Sequence, residues 1–155
     1  MKLKTNNKAP NFVLPSTTKE KFSLKDFLGK YIVIYFYPKD DTPGCTIETN
    51  DFNKLLSKFK KLNCEVYGIS KDSLKSHDKF RDKYKIKFDL LADEELKVLK
   101  KYKITNFPSE SFKLYLTLLV EGKVKFEAFI ILYALKFWQK LFQRLAFSFH
   151  FFLYI

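Results

Sequence analysis

A cysteine that follows a short apolar run is the residue of this chain best suited to chemistry. Residues 31–37 are rich in β-branched and aromatic side chains, which is typical of a strand buried on both faces. Thr42 can cap a helix and Pro43 suits its first turn, so Cys45 is expected at or near a helix amino end. Unpaired backbone N–H groups and the helix dipole favour the nucleophilic thiolate there.

Two neighbours of Cys45 suit the same chemistry. Thr42 lies three positions earlier, so its hydroxyl would share a side of the first helical turn with the sulfur. It could then hydrogen-bond the sulfur or an oxygen atom that approaches it. Pro38 ends the strand and would exclude water from the thiolate. The alternative is a small buried cysteine that takes part in no reaction.

The spacing Pro38-x-x-x-Thr42-x-x-Cys45 resembles the peroxidatic-cysteine signature of the peroxiredoxins. The continuation C-T-x-E-x-x-x-F from Cys45 is similar to their peroxiredoxin Q, or bacterioferritin comigratory protein, branch. The similarity extends over residues 1–103 and includes the run GISKDSLKSHDKFRDKY. It implies an α/β protein of thioredoxin-like fold, with a central mixed sheet flanked by helices.

The resemblance implies a thiol peroxidase that needs no cofactor. The Cys45 thiolate would attack hydrogen peroxide or an alkyl hydroperoxide and become a sulfenic acid. Thr42 and Pro38 would share the catalytic site, and Gly44 and Glu48 would contact the substrate, with backbone N–H groups near Gly44 stabilising charge on the oxygens. The expected partners are a hydroperoxide and thioredoxin or another thiol reductant, with the protein a monomer or homodimer.

The sequence departs from its relatives at the resolving cysteine. Many peroxiredoxin Q proteins carry that residue five positions after the first cysteine, where this chain has Asn50. Cys64 is the only other thiol, and its place at the head of a predicted central strand favours a buried, inert side chain. A one-cysteine cycle is therefore predicted, with an external thiol attacking the sulfenic acid.

The family arginine that would hold the thiolate and the peroxide has no counterpart in the sequence. Counting back from Gly122 places Lys113 near its position. A lysine supplies positive charge without the planar fork of a guanidinium, so it would orient a peroxide less well. A solvated lysine with no role is the alternative.

Hydrophobic periodicity predicts the elements around the cysteine. Apolar residues recur at three- and four-residue steps over residues 46–62, which indicates an amphipathic helix. A right-handed β-α-β crossover would then place Cys45 beyond the carboxyl end of a parallel strand. The other predicted strands are 9–15, 64–70, 88–92, 114–120 and 124–126, with a short strand and one helical turn closed by Gly29 in 21–30, a helix opening over 72–81 and a helix over 94–102.

Residues 1–125 are predicted to form the peroxiredoxin domain, followed by a divergent, aromatic-rich tail over 126–155. A helical stripe of apolar residues predicts a helix over 128–155. Basic residues interrupt it, which disfavours a membrane span and leaves contact with a membrane surface as a weaker alternative. The abrupt change in composition also fits a change of reading frame.

The formal net charge of +12 invites a nucleic-acid function, but its distribution argues against one. Basic and acidic residues alternate through residue 103, and Lys greatly outnumbers Arg. No specific nucleic-acid partner is therefore expected. Two cysteines without a signal peptide point to the cytoplasm.

The histidines and paired acids are interpreted as ordinary polar residues. His77 and His150 lack metal-ligand spacing, so no metal site is predicted, and His77 is placed on a helix surface. Asp40 and Asp41 are interpreted as turn charges. Three other functions stay open: a redox-inactive interaction protein of thioredoxin fold, a peripheral membrane protein, and a Cys-His hydrolase.

Overall fold

A computed structural model of the chain describes residues 8–104 in full and the backbone of residues 113–120 and 123–131. An antiparallel hairpin and a five-stranded sheet are built from these residues. The hairpin pairs β1 (Val13–Pro15) with β2 (Lys21–Ser23). The sheet has the order β5-β4-β3-β6-β7, from β3 (Tyr31–Phe36), β4 (Cys64–Ser70), β5 (Asp89–Ala92), β6 (Lys113–Val120) and β7 (Lys123–Ile131).

Strand direction makes this a mixed sheet. β3, β4 and β5 run parallel to one another, whereas β6 is antiparallel to β3 and β7 to β6. Helices connect the parallel strands, as the rule for parallel pairs requires. The α/β class and the central mixed sheet predicted from the sequence are confirmed.

Three α-helices accompany the sheet within the described residues. They are α1 (Pro43–Lys61), α2 (Leu74–Tyr84) and α3 (Lys97–Lys101), and a 3₁₀ turn, Leu24–Phe27, precedes β3. Gly29 follows that turn at φ +84°, a left-handed conformation that glycine adopts without strain. α3 is shorter than predicted, because the Asp93 carboxylate accepts hydrogen bonds from the N–H groups of Val98 and Leu99 and thereby fixes a later start.

β3 separates two buried clusters because its side chains alternate between the two faces of the sheet. Val33, Tyr35 and Tyr37 face α1 and α2, whereas Ile32, Ile34 and Phe36 face the hairpin and α3; all six are fully or almost fully buried. Gly68 on β4 makes room for the Tyr35 ring, since a Cβ there would lie 2.7 Å from it. The strand that leads to Cys45 is thus held from both sides.

The carboxyl-terminal part differs from the sequence prediction. β7 continues to Ile131, so the predicted tail boundary at residue 126 falls inside a strand. The predicted helix over 128–155 is wrong for residues 128–131, because their backbone pairs with β6. The rest of that helix and the turn at 121–122 lie outside the described residues.

Candidate active site

The turn between β3 and α1 places Cys45 at the carboxyl end of the central strand. The Tyr37 N–H still bonds to the Ile69 carbonyl oxygen at 3.0 Å, and Pro38 then ends the pairing. α1 begins at Pro43, so Cys45 is the third residue of the helix, as predicted. Its side chain is buried, with 7% exposed.

Thr42 occupies the predicted N-cap position but does not cap the helix with its side chain. Its hydroxyl instead donates to the Lys39 carbonyl oxygen at 3.2 Å, and it also hydrogen-bonds the Cys45 sulfur. A hydroxyl has only one proton to donate. The Lys39 oxygen and the sulfur therefore compete for it, and an ionised sulfur is the stronger acceptor.

The protonation of Cys45 is set by opposing contributions. Burial raises the pKa of the Cys45 thiol, and the carboxyl group of Glu48 raises it further when ionised. Hydrogen bonds from Thr42 and from the backbone at Lys39 and Cys45 lower it. The pKa is raised on balance, because desolvation outweighs the backbone hydrogen bonds at the helix terminus, although these act in the direction that the sequence predicted.

Glu48 lies one turn after Cys45 and is buried, with 7% exposed. Its Oε1 atom has no hydrogen-bond partner in the part of the chain that the structure describes. Burial raises the pKa of Glu48 to about 8, and the charge of Asp51 contributes in the same direction. At neutral pH this carboxyl group is therefore mostly protonated and able to donate a hydrogen bond.

Replacement of this residue, Glu48→Gln, is expected to stabilise the protein above pH 8 and to have little effect near pH 4. The unfolded carboxyl ionises near its ordinary value of 4.5, whereas the folded one keeps its proton to about 8. Stability of the native protein therefore falls as pH rises from 4.5 to 8, and glutamine removes this loss. We expect a gain on the order of 5 kcal/mol in urea unfolding at pH 9, since each pKa unit corresponds to about 1.4 kcal/mol.

Glu20→Gln provides the matched control for this prediction, because Glu20 is exposed. Its stability difference from the native protein should not change with pH. A Glu48→Gln variant whose advantage is the same at pH 4 and pH 9 would contradict the raised pKa of Glu48.

Asp40 and Asp41 were interpreted as turn charges and His77 was placed on a helix surface; the structure corrects the interpretation of Asp40 and His77. His77 is fully buried rather than on the helix surface, and its Nδ1 lies 2.9 Å from Asp40 Oδ2. Asp40 is also buried. Asp41 is exposed and pairs with Lys83 at 2.7 Å, as a turn charge would. The sequence did contain a signal for His77, which shares helical spacing with Leu74 and Phe80.

Cys64 lies at the opposite end of the central strands from Cys45. It is the first residue of β4 and pairs with Tyr31, the first residue of β3, whereas Cys45 follows the end of β3. It is buried, with 2% exposed, and both cysteines are free. Burial raises the pKa of the Cys64 thiol to about 12. This thiol is therefore protonated and poorly nucleophilic at neutral pH.

The remaining predicted site residues fall around Cys45 to different degrees. Gly44 is buried beside it on α1, and Pro38 is half-buried where β3 ends. Lys113 is the first residue of β6. Tyr115, two residues later, pairs with Phe36 at the end of β3, so the Lys113 backbone lies near the end of β3 from which the chain leads to Cys45.

No helix of the described residues is long and apolar enough to cross a membrane.

Comparisons with known proteins agree with this geometry. Residues 5–131 match the AhpC/TSA family. A peroxiredoxin Bcp homologue of Coxiella burnetii is 46% identical over 102 residues, which cover 66% of this chain and 68% of that protein.

Two solved structures extend the comparison to the fold. The Xanthomonas campestris bacterioferritin comigratory protein, studied for its alkyl peroxide reduction, has a TM-score of 0.78 at 29% identity, covering 88% of this chain and 91% of that one. A yeast mitochondrial 1-Cys peroxiredoxin, whose thiol is resolved through glutathione/thioredoxin systems, has a TM-score of 0.72 at 26% identity, covering 83% and 68%. By its family match, its relatives and its fold, the chain belongs to the AhpC/TSA family and is a thiol peroxidase of the peroxiredoxin Q type.

Proposed function

We propose that Cys45 is the peroxidatic residue and that the enzyme works through a one-cysteine cycle. The observation that supports this most directly is the placement of the two thiols. Cys45 lies at the amino end of α1 beside the Thr42 hydroxyl, whereas Cys64 is buried at the opposite end of the central strands. A sulfenic acid on Cys45 therefore has no second thiol of this chain beside it.

The first step transfers one oxygen atom from the peroxide to the sulfur. The Cys45 thiolate forms an S–O bond to the terminal oxygen while the O–O bond breaks, and the other oxygen leaves with the electron pair. That leaving oxygen takes up a proton to become water or an alcohol. The cysteine is oxidised to a sulfenic acid and the peroxide is reduced.

Four further residues receive roles in this step. The Thr42 hydroxyl and the backbone N–H near Gly44 would hydrogen-bond the reacting oxygens. The protonated Glu48 carboxyl would donate a hydrogen bond to the leaving oxygen, since its pKa of about 8 keeps it protonated at neutral pH. Pro38 would keep water from the sulfur.

The second step regenerates the thiol with an external reductant. A thiolate of thioredoxin, glutaredoxin or glutathione attacks the sulfenic sulfur, which forms a mixed disulfide and releases water. A second thiol of the reductant then reduces that disulfide and frees Cys45. We assign the enzyme to the cytoplasm, because both of its cysteines are free and a reducing compartment supplies such thiols.

Trapping of the oxidised cysteine tests the proposal. Reduced protein is treated with one equivalent of hydrogen peroxide and then with dimedone, which labels sulfenic acids, and the labelled peptides are identified by mass spectrometry. We expect the label on Cys45 and an unmodified thiol at Cys64. An intramolecular Cys45–Cys64 disulfide, or dimedone on Cys64 alone, would contradict the one-cysteine cycle.

A further inference from the structure

A buried cluster of hydrogen bonds joins α2 to the turn that precedes Cys45. The Asp40 carboxylate lies at its centre and accepts from the Tyr37 hydroxyl at 2.7 Å and the Ser76 hydroxyl at 2.8 Å. His77 Nδ1 lies 2.9 and 3.1 Å from the two carboxylate oxygens. Asp40 and His77 are both buried, so water does not replace these contacts.

The chemistry of the cluster fixes the direction of its hydrogen bonds. An ionised carboxylate only accepts, so His77 must carry a proton on Nδ1 and donate it to Asp40. Burial raises the pKa of Tyr37 well above its ordinary value, so the phenol keeps its proton and donates as well. His77 Nε2 is buried and has no partner within residues 8–104, so the histidine is joined to the turn through Nδ1 alone.

Asp40 is held through its backbone as well as its side chain. Its N–H donates to Asp72 Oδ2 at 2.8 Å, and Asp72 also accepts from the Ser70 hydroxyl at the end of β4. The residue immediately before Asp40 is Lys39. A hydrogen bond from the Lys39 backbone lowers the pKa of the Cys45 thiol, and the Lys39 carbonyl oxygen accepts from Thr42.

We propose that His77 is a positioning residue for the peroxidase reaction: through Asp40 it holds the Lys39 backbone donor and the Thr42 hydroxyl against the Cys45 sulfur. The inference rests on the proposed role of Cys45. Lys39 itself is exposed, and the peptide bond to Asp40 joins it directly to the buried cluster. A donor displaced by a fraction of an ångström stabilises a thiolate less, because hydrogen bonds weaken steeply away from ideal geometry.

Two substitutions at His77 separate the hydrogen bond from the volume of the ring. His77→Leu fills most of the space and removes the donor to Asp40, whereas His77→Asn keeps an N–H near the position of Nδ1. We expect His77→Leu to raise the apparent pKa of Cys45 by about one unit, measured by thiolate absorbance at 240 nm. The second-order rate constant with hydrogen peroxide at pH 7 should fall about tenfold, because the thiolate fraction falls by that factor. His77→Asn should recover most of both.

Phe80→Leu is the matched control for loss of packing. Phe80 is buried one turn further along α2, in the same apolar cluster as Cys45 and Tyr37. This variant should lower the melting temperature and leave the pKa of Cys45 and the rate constant unchanged. Ser76→Ala removes another donor to Asp40 without disturbing the core. It should raise the pKa of Cys45 by less than His77→Leu does, and it provides a second test should His77→Leu not fold.

The outcomes distinguish this inference from the function on which it rests. The inference is overturned if His77→Leu and Ser76→Ala fold and keep the native pKa of Cys45 and the native rate constant. It is also overturned if Phe80→Leu changes both as much as His77→Leu does. If dimedone does not label Cys45 in the native protein, the proposed function itself has failed, whatever the His77 variants show.

Discussion

The substitution Cys45→Ser is expected to lower hydrogen peroxide consumption at least about 10³-fold, to the uncatalysed rate. Serine has nearly the same shape as cysteine, but its hydroxyl stays protonated at neutral pH and is a poor nucleophile for a peroxide O–O bond. The measurement is peroxide consumption with thioredoxin and its reductase as the electron source. Cys45 is buried at the start of α1, so the folded state should tolerate this small change.

Cys64→Ala is the matched control. It removes the only other thiol and leaves a small apolar side chain in the buried position at the head of β4. Because the pKa of this thiol is raised to about 12, the variant should keep a turnover rate within about twofold of the native one. If Cys64→Ala stops thioredoxin-dependent turnover while Cys45 still forms a sulfenic acid, then Cys64 is a resolving cysteine and the one-cysteine cycle is wrong.

The strand-turn-helix unit around Cys45 could be predicted from sequence because its signals are local. An apolar β-branched run forms β3, the spacing of apolar residues forms α1, and Pro43 marks the first turn. The predicted second central strand has the same bounds as β4. The periodicity of apolar residues and the identity of capping residues depend only on neighbouring positions, so they can be recognised without knowledge of the tertiary fold.

What could not be predicted depends on contacts between distant parts of the chain. Asp40 and His77 are 37 positions apart, and each is a polar residue of a type that usually lies on the surface. Burial of both follows only when α2 packs beside the turn after β3. The balance of charges on Cys45 is a similar case, because desolvation by the packed core opposes the helix terminus and no motif states which is larger.

The fraction of Cys45 that is ionised at neutral pH depends on positive charge near the sulfur, and we propose that Lys113 supplies this charge. Burial raises the pKa of Cys45, and Glu48 raises it further once its carboxyl group ionises, so a cation near the sulfur is the contribution that would restore a reactive thiolate. A positive charge within about 4–6 Å lowers a thiol pKa by about 1–3 units. The Lys113 backbone stands at the sheet edge where β3 ends and the Cys45 turn begins.

Lys113→Met is therefore expected to raise the pKa of Cys45 by about one unit and to lower the rate constant with hydrogen peroxide at pH 7 about tenfold. Lys113→Arg should raise the rate constant, because a guanidinium donates two parallel hydrogen bonds to peroxide oxygens that a single ammonium cannot match. Both are measured by stopped-flow reaction of the reduced protein with peroxide, from pH 5 to 9.

Lys123→Met is the control for this pair of variants. Lys123 is the first residue of β7 and pairs with Val120, which in turn pairs with Tyr31 at the start of β3. Lys123 therefore carries the same charge as Lys113 but lies at the opposite end of β3. It should leave the pKa of Cys45 and the rate constant unchanged, since screening by salt removes most of its effect beyond about 10 Å. Equal effects of Lys113→Met and Lys123→Met would mean that only the net charge of the protein matters. In that case Lys113 has no specific role beside Cys45, and the hydrogen bonds of Thr42 and Lys39 are the local contacts that stabilise the thiolate.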